Sequence, residues 1–383
     1  MENTILLFMV IVLVIAAVAL VLWIRIGEAN KLFKEVSEKL DDILELKIPD
    51  KTLGGYKALN GVLAMIDGKW KDAIEVFRKL SPHVDSRTKV NYLSLIGLCF
   101  YKQGKLGQAL GSYKESLDLA MEINDKKGEA INLGDIGIIY WREGSLDKAL
   151  EYYNQALGVY KEINDKKGEA EYLGNIGLVY WKQGALDKAL EYQNKALDID
   201  KEIGNKESES ADLGNIGVIY RMQGEWDKAL EYYNKALKIY EEIDKKQGMA
   251  NQLGNIGIVY GMLGKLDEAL EYNNRAMKID KEIGNREGEA QDLGNIGNIY
   301  HDLQQFDEAL EYYMRSFDIN REMGNKKGEA ADWGNIGNTY RMIGKINEAK
   351  ECYEKALELF TEMGIKTEIE KTKTNIENLD RKL

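Results

Sequence analysis

Five asparagines, Asn175, Asn215, Asn255, Asn295 and Asn335, stand forty residues apart, each directly after a glycine. An asparagine side chain carries a donor and an acceptor together, so it can pair with both groups of a peptide unit. A glycine beside it costs about 1 kcal/mol inside a helix but lets a second backbone come close. The column therefore reads as a ladder for an extended peptide. A structural reading stays open beside it, in which asparagine bonds the next repeat and glycine only lets helices pack. Near the same column Trp141, Arg142, Trp181, Lys182 and Arg221 bring together the aromatic and cationic types that anchor protein partners. The cluster is locally basic in a chain of formal net charge −12. The ligand expected there is an extended segment carrying acidic and apolar residues.

Patterns for catalysis or metal binding are missing. The only histidines are His83 and His301, with no spacing for zinc and no triad. Glycines run as in Gly214-Asn-Ile-Gly217 inside a helical frame, and Gly264-Lys265-Leu266 lacks the hydroxyl of a phosphate-binding loop. The acidic stretch from Asp198 has no glycine where a calcium loop needs one. No enzyme, cofactor or metal is expected. The acidic balance, with no basic block, also argues against nucleic acid. Cys99 and Cys352 lie about six repeats apart and are expected to be reduced core thiols.

The elements that must hold these side chains repeat almost verbatim. Tyr172 to Gly204 reads YLGNIGLVYWKQGALDKALEYQNKALDIDKEIG, and the frame returns at Asp212, Gln252, Asp292 and Asp332, and backwards at Asn132. A period of this length signals a solenoid, whose units bury their apolar faces only against their neighbours. Each unit is two helices. Leu213, Ile216 and Tyr220 recur at helical spacing in the first, and Gly224 closes it. Ala229, Leu230, Tyr233, Ala236, Leu237 and Tyr240 do so in the second, which opens at Asp227. Acid-before-base pairs such as Glu191/Lys195 and Glu231/Lys235 mark a solvated outer face.

These residues resemble the tetratricopeptide repeat family. Its small first-helix residue matches Gly137, Gly177, Gly217, Gly257, Gly297 and Gly337, and its aromatic matches Tyr140, Tyr180, Tyr220, Tyr260, Tyr300 and Tyr340. The second helix supplies Ala149/Tyr153, Ala229/Tyr233, Ala309/Tyr313 and Ala349/Tyr353, with Gln193 and Asn273 replacing the aromatic at two semi-buried sites. The family's proline is absent, and the period of forty predicts helices about a turn longer around the G-N-K-x-G-E-A junctions. The variant is similar to the longer repeats of kinesin light chain and LGN-type adaptors. The resemblance implies an all-α, right-handed superhelical solenoid of about eight helix pairs over residues 54–363, with residues 364–383 as a capping helix. It also implies that the first helices line a concave groove, where the asparagine column and the tryptophan cluster would then lie.

Before the repeats, Thr4 to Ile24 is an uncharged apolar run, at ~1.5 Å per residue long enough for a hydrocarbon core. Trp23 and Arg25 follow, and no Lys or Arg precedes it. Residues 1–26 thus read as a single transmembrane anchor, a signal peptide or a buried helix being the alternatives. Arg25, Lys31, Lys34 and Lys39 just after it predict a single-pass membrane protein with its repeats in the cytoplasm. In residues 27–48, Ala29, Phe33, Val36, Leu40 and Ile43 continue a seam from Ile26. It suits a homodimer through residues 26–43, or a helix docked on the first repeat. The function expected is a membrane-anchored scaffold that binds an extended segment of a protein partner. The alternative is a self-assembling repeat protein with an unused groove.

Overall fold

The computed structural model describes residues 54–380, and among them every regular element is a helix. Eight helix pairs run in chain order. They are α1 (Gly54–Ile66) with α2 (Trp70–Leu80), α3 (Ser86–Lys102) with α4 (Leu106–Glu122), and α5 (Lys126–Arg142) with α6 (Leu146–Glu162). Next come α7 (Lys166–Lys182) with α8 (Leu186–Glu202), and α9 (Lys206–Met222) with α10 (Trp226–Glu242). The last are α11 (Lys246–Met262) with α12 (Leu266–Ile283), α13 (Arg286–Asp302) with α14 (Phe306–Glu322), and α15 (Lys326–Met342) with α16 (Ile346–Met363). A single helix, α17 (Lys366–Asp380), follows and buries Leu379 beside Ala349 and Tyr353. Two compact units divide after Asp212, inside α9.

The forty-residue period is explained by the junctions. The acid or amide of the D/N-K-x-G-E-A motif caps the first helix at four junctions: Asp125 and Asp165 accept from the Gly128 and Gly168 amides at 3.3 and 3.0 Å, and Asn285 and Asn325 from Gly288 and Gly328 at 3.3 and 3.2 Å, whereas α11 starts after Lys245 with no side-chain cap. Helix formation begins there, so α5 to α11 are 17 residues each. The motif's glycine is required by packing. A Cβ on Gly168 would lie 2.2 Å from the Tyr160 ring. Inside each pair a left-handed residue makes the turn, Gly184 at φ 76° for example; Gln304 takes the same role at φ 61°. A side chain in that region costs of order 1 kcal/mol or more.

The core lies between the two helices of each pair and the next first helix. Ala149, Ala189, Ala229, Ala269, Ala309 and Ala349 are fully buried. The tyrosine one turn on presses against the glycine of its partner helix, so a Cβ on Gly137 would meet Tyr153 at 2.5 Å. Gln193 and Asn273, expected half-buried, are fully buried at 0% and 1% exposure. Gln193 bonds across the seam, donating to the Gly174 carbonyl at 2.9 Å, whereas Asn273 donates to the Ala269 carbonyl of its own helix at 2.8 Å and leaves its Oδ1 buried without a partner. Cys99 and Cys352 are buried and in no disulfide, and burial pushes the Cys352 thiol up to about 11.

One expectation is corrected. Among the described residues no helix is long and apolar enough to cross a membrane. The helices are instead amphipathic or small-residue segments that bury one face against neighbouring helices, so single-pass membrane localisation is not supported. The run in residues 1–26 and the seam in residues 26–43 lie outside the described residues.

Candidate functional site

In the unit that ends at Asp212, the last turns of three successive first helices carry Tyr101–Lys102, Trp141–Arg142 and Trp181–Lys182. Stacking of repeats sets each cation on the ring of the repeat before it. The Arg142 guanidinium lies 4.9 Å over Tyr101, and the Lys182 ammonium 4.4 Å over Trp141. Lys182 also reaches the Trp141 carbonyl at 3.5 Å, where cations suit the negative end of a helix. Both tryptophans are half-buried and both cations exposed. Trp141 keeps its indole Nε1 buried without a hydrogen-bond partner. The cluster expected from sequence therefore exists as a ladder of rings and cations. Its first rung, Tyr101 with Lys102, escaped the sequence reading because the early repeats are degenerate, although it stands forty residues before Trp141–Arg142.

Asn175 sits half-buried on α7 one to two turns before Trp181. In the second unit Asn215, Asn255, Asn295 and Asn335 are likewise half-buried. Asn295 leaves its Nδ2 buried with no partner. One turn on, Asn298 and Asn338 accept the hydroxyls of Tyr313 and Tyr353, each at 2.7 Å, so those two amides are tied into the core. Val218 stands at the equivalent place above Tyr233, whose hydroxyl has Arg221 as its polar neighbour instead. Arg221, the remaining expected anchor, is half-buried with an unpartnered Nε. Met222, Met262 and Met342 at the helix ends are 51%, 53% and 51% exposed, an apolar edge of adaptable side chains.

The glycines at this helix position, Gly134 before Asp135 and the later ones before the asparagines, separate into two kinds. A Cβ on Gly134 would fall 1.6 Å from the Tyr172 hydroxyl, and one on Gly214 would meet Gln252 at 2.9 Å. Those two are there for packing. Gly174 and Gly294 have nothing closer than 3.7 and 3.9 Å, and Gly334 has nothing within 4 Å. Gly334→Ala is expected to stabilise the protein by about 1 kcal/mol, the helix-propensity difference. Thermal denaturation reads it; a lower midpoint would show a clash that the open space does not allow.

Helix pairs stacked on their neighbours define an α-helical repeat solenoid. Its sequence carries the tetratricopeptide repeat pattern over residues 88–162, 128–202, 168–242, 207–282 and 288–362, and the chain belongs to that family. No curated protein matches it. Solved structures share the fold. The apo quorum sensor NprR from B. thuringiensis aligns at TM-score 0.64 and 17% identity, over 86% of this chain and 94% of that one. A Rap protein complexed with competence and sporulation factor aligns at 0.54 and 16%, over 86% and 98%. The STAND signal-transduction ATPase with a tetratricopeptide repeat sensor from Pyrococcus horikoshii aligns at 0.61 and 16%, over 91% of this chain and 56% of that one.

Proposed function

We propose that this repeat scaffold binds an extended segment of a protein partner along the faces of its first helices. The observation that carries the reading is the Gly294–Asn295 step. Asn295 holds a buried amide with no partner, and Gly294 leaves space that packing does not require. A helix that keeps both forgoes a hydrogen bond and about 1 kcal/mol of propensity, which a ligand backbone would restore. Solved neighbours support the reading in kind, since the Rap protein was crystallised with competence and sporulation factor bound. Within the first unit, the ring-and-cation ladder at Trp141 and Trp181, with Arg142 and Lys182, suits acidic and apolar side chains. The reading assigns no enzymatic step, no cofactor and no nucleic-acid ligand.

The test starts from peptides selected against the whole chain from a random display library. Replacing Asn215 and Asn255 together by alanine is expected to weaken binding of a selected peptide while helicity and melting stay nearly unchanged. Suppose the double variant instead melts several degrees lower and binds as before. The asparagines are then structural, and the ladder reading fails.

A further inference from the structure

At each junction between repeats, a last-turn residue of one second helix meets a residue on the next first helix. The pairs differ in chemistry. Tyr160 and Tyr172 stack with ring centroids 5.3 Å apart. At Asn320 and Asp332, the amide donates to the carboxylate at 2.8 Å, and the Ser316 hydroxyl lies 3.1 Å from the same oxygen. At two junctions both partners are aspartates: Asp200 of α8 with Asp212 of α9, and Asp280 of α12 with Asp292 of α13. All four are buried, at 2%, 7%, 3% and 5% exposure. Asn205 donates to Asp200 and Asn285 to Asp280, each at 2.9 Å. Asp212 and Asp292 have no such donor, and each leaves its Oδ2 buried without a partner.

Two ionised carboxylates cannot share a buried site, and an ionised oxygen with no donor is costly there. A proton on one carboxyl removes both difficulties. No nearby cation does so. Glu289 faces Asp280 and is itself held by Arg286 at 2.7 Å and Lys281 at 3.8 Å. Glu209 faces Asp200 and pairs with Lys206 at 2.7 Å; the attraction of Lys167 of α7 is the smallest of the effects on Asp200 and is outweighed by burial. From the remaining neighbours come glycines, Gly174 of α7 against Asp212 and Gly254 of α11 against Asp292. Among the described residues no three acids, histidines or cysteines gather to hold a metal in the proton's place.

We propose that the Asp200–Asp212 and Asp280–Asp292 junctions are proton locks, each keeping one proton on its buried carboxyl pair when closed and releasing it when the junction opens. Burial, then the neighbouring aspartate, pushes Asp212 and Asp292 up to about 8, and Asp200 and Asp280 are raised by burial. Asp332, which has its donors, reaches only about 6. The opened junction would titrate at the ordinary aspartate value of about 3.9. The closed state is thus fully favoured below about pH 4 and loses that advantage as pH rises toward 8. Between those limits opening releases one proton, so its equilibrium constant rises about tenfold per pH unit and levels off above. The locks lie behind Gly174–Asn175 and Gly254–Asn255, so proton release loosens the face that carries the asparagine column, whatever binds there.

Amide hydrogen exchange on the full chain, corrected for intrinsic pH dependence, tests this. Protection of α12 and α13 is expected to fall about tenfold per pH unit between about pH 5 and pH 8. The α6–α7 junction, closed by tyrosines, is expected to show no such slope. Asp292→Asn should flatten the slope in α12 and α13, and Asp280→Asn, which recreates the Asn320–Asp332 pairing, should confine it to below about pH 6. Protection of α12 and α13 that is independent of pH in the wild type overturns the proposal. So does a slope that survives both asparagine variants.

Discussion

Gly134→Ala is expected to destabilise the first unit by about 3 kcal/mol, the upper end of what overpacking costs. The new methyl would overlap the Tyr172 hydroxyl at 1.6 Å and its ring at 2.2 Å. Tyr172 cannot move aside, because it is packed between Tyr153 at 5.8 Å and Tyr160 at 5.3 Å. The repair is written in the neighbouring repeat, where Ser94 occupies the glycine's place and donates to Asn132 at 2.8 Å. Tyr172→Asn alone leaves a cavity and also destabilises. Combined with Gly134→Ala it should cost at least 1 kcal/mol less than the sum, since the two changes touch the same contact. Denaturation midpoints of the four proteins measure this coupling. Strict additivity would mean that Tyr172 is not what holds Gly134.

Trp181→Ala is expected to weaken a selected peptide by roughly 2 kcal/mol, about thirtyfold, as loss of a central aromatic anchor does. Arg142→Ala and Lys182→Ala should cost less, and their effect should shrink as salt rises, because their charges are exposed. Lys182→Ala carries a second signature: it uncovers the Trp141 ring, on which the ammonium now sits at 4.4 Å, so tryptophan emission should change. Calorimetry across ionic strengths separates the two contributions. Unchanged affinity in Trp181→Ala would remove the ladder from the binding face.

The helix pairs were legible because every defining residue lies within one period. Gly137 and Tyr153, or Gly217 and Tyr233, are sixteen residues apart, and the turn between their helices is short. The added turn around the junctions was legible for the same reason, and the structure adds its cause, the Asx cap and a glycine beneath the preceding helix end. The site was only half legible. Residue types placed Trp141, Trp181, Arg142 and Lys182 at one end of the first helices, but could not show that each cation is spent on the ring of the preceding repeat. Likewise Asn298 and Asn338 share the residue type of the asparagine column, yet tyrosine hydroxyls from the core hold them. The apolar run of residues 1–26 was read by hydropathy alone, and nothing in the described helices supports the membrane localisation drawn from it.

The sequence by itself determined the repeat: its length, its two helices, the small and aromatic residues that interlock, and the row of Gly–Asn steps along one face. Those follow from local periodicity, which a single chain displays openly. Only the tertiary structure decided what each repeat does to the next. It set Gly134 against Tyr172 but left Gly334 open, and it brought Asp280 to Asp292 where a neighbouring junction joins Asn320 to Asp332. The same repeat position can be a clash, a vacancy, a hydrogen bond or a retained proton. Junction chemistry depends on two side chains from different helices at contact distance, and packing alone brings them there.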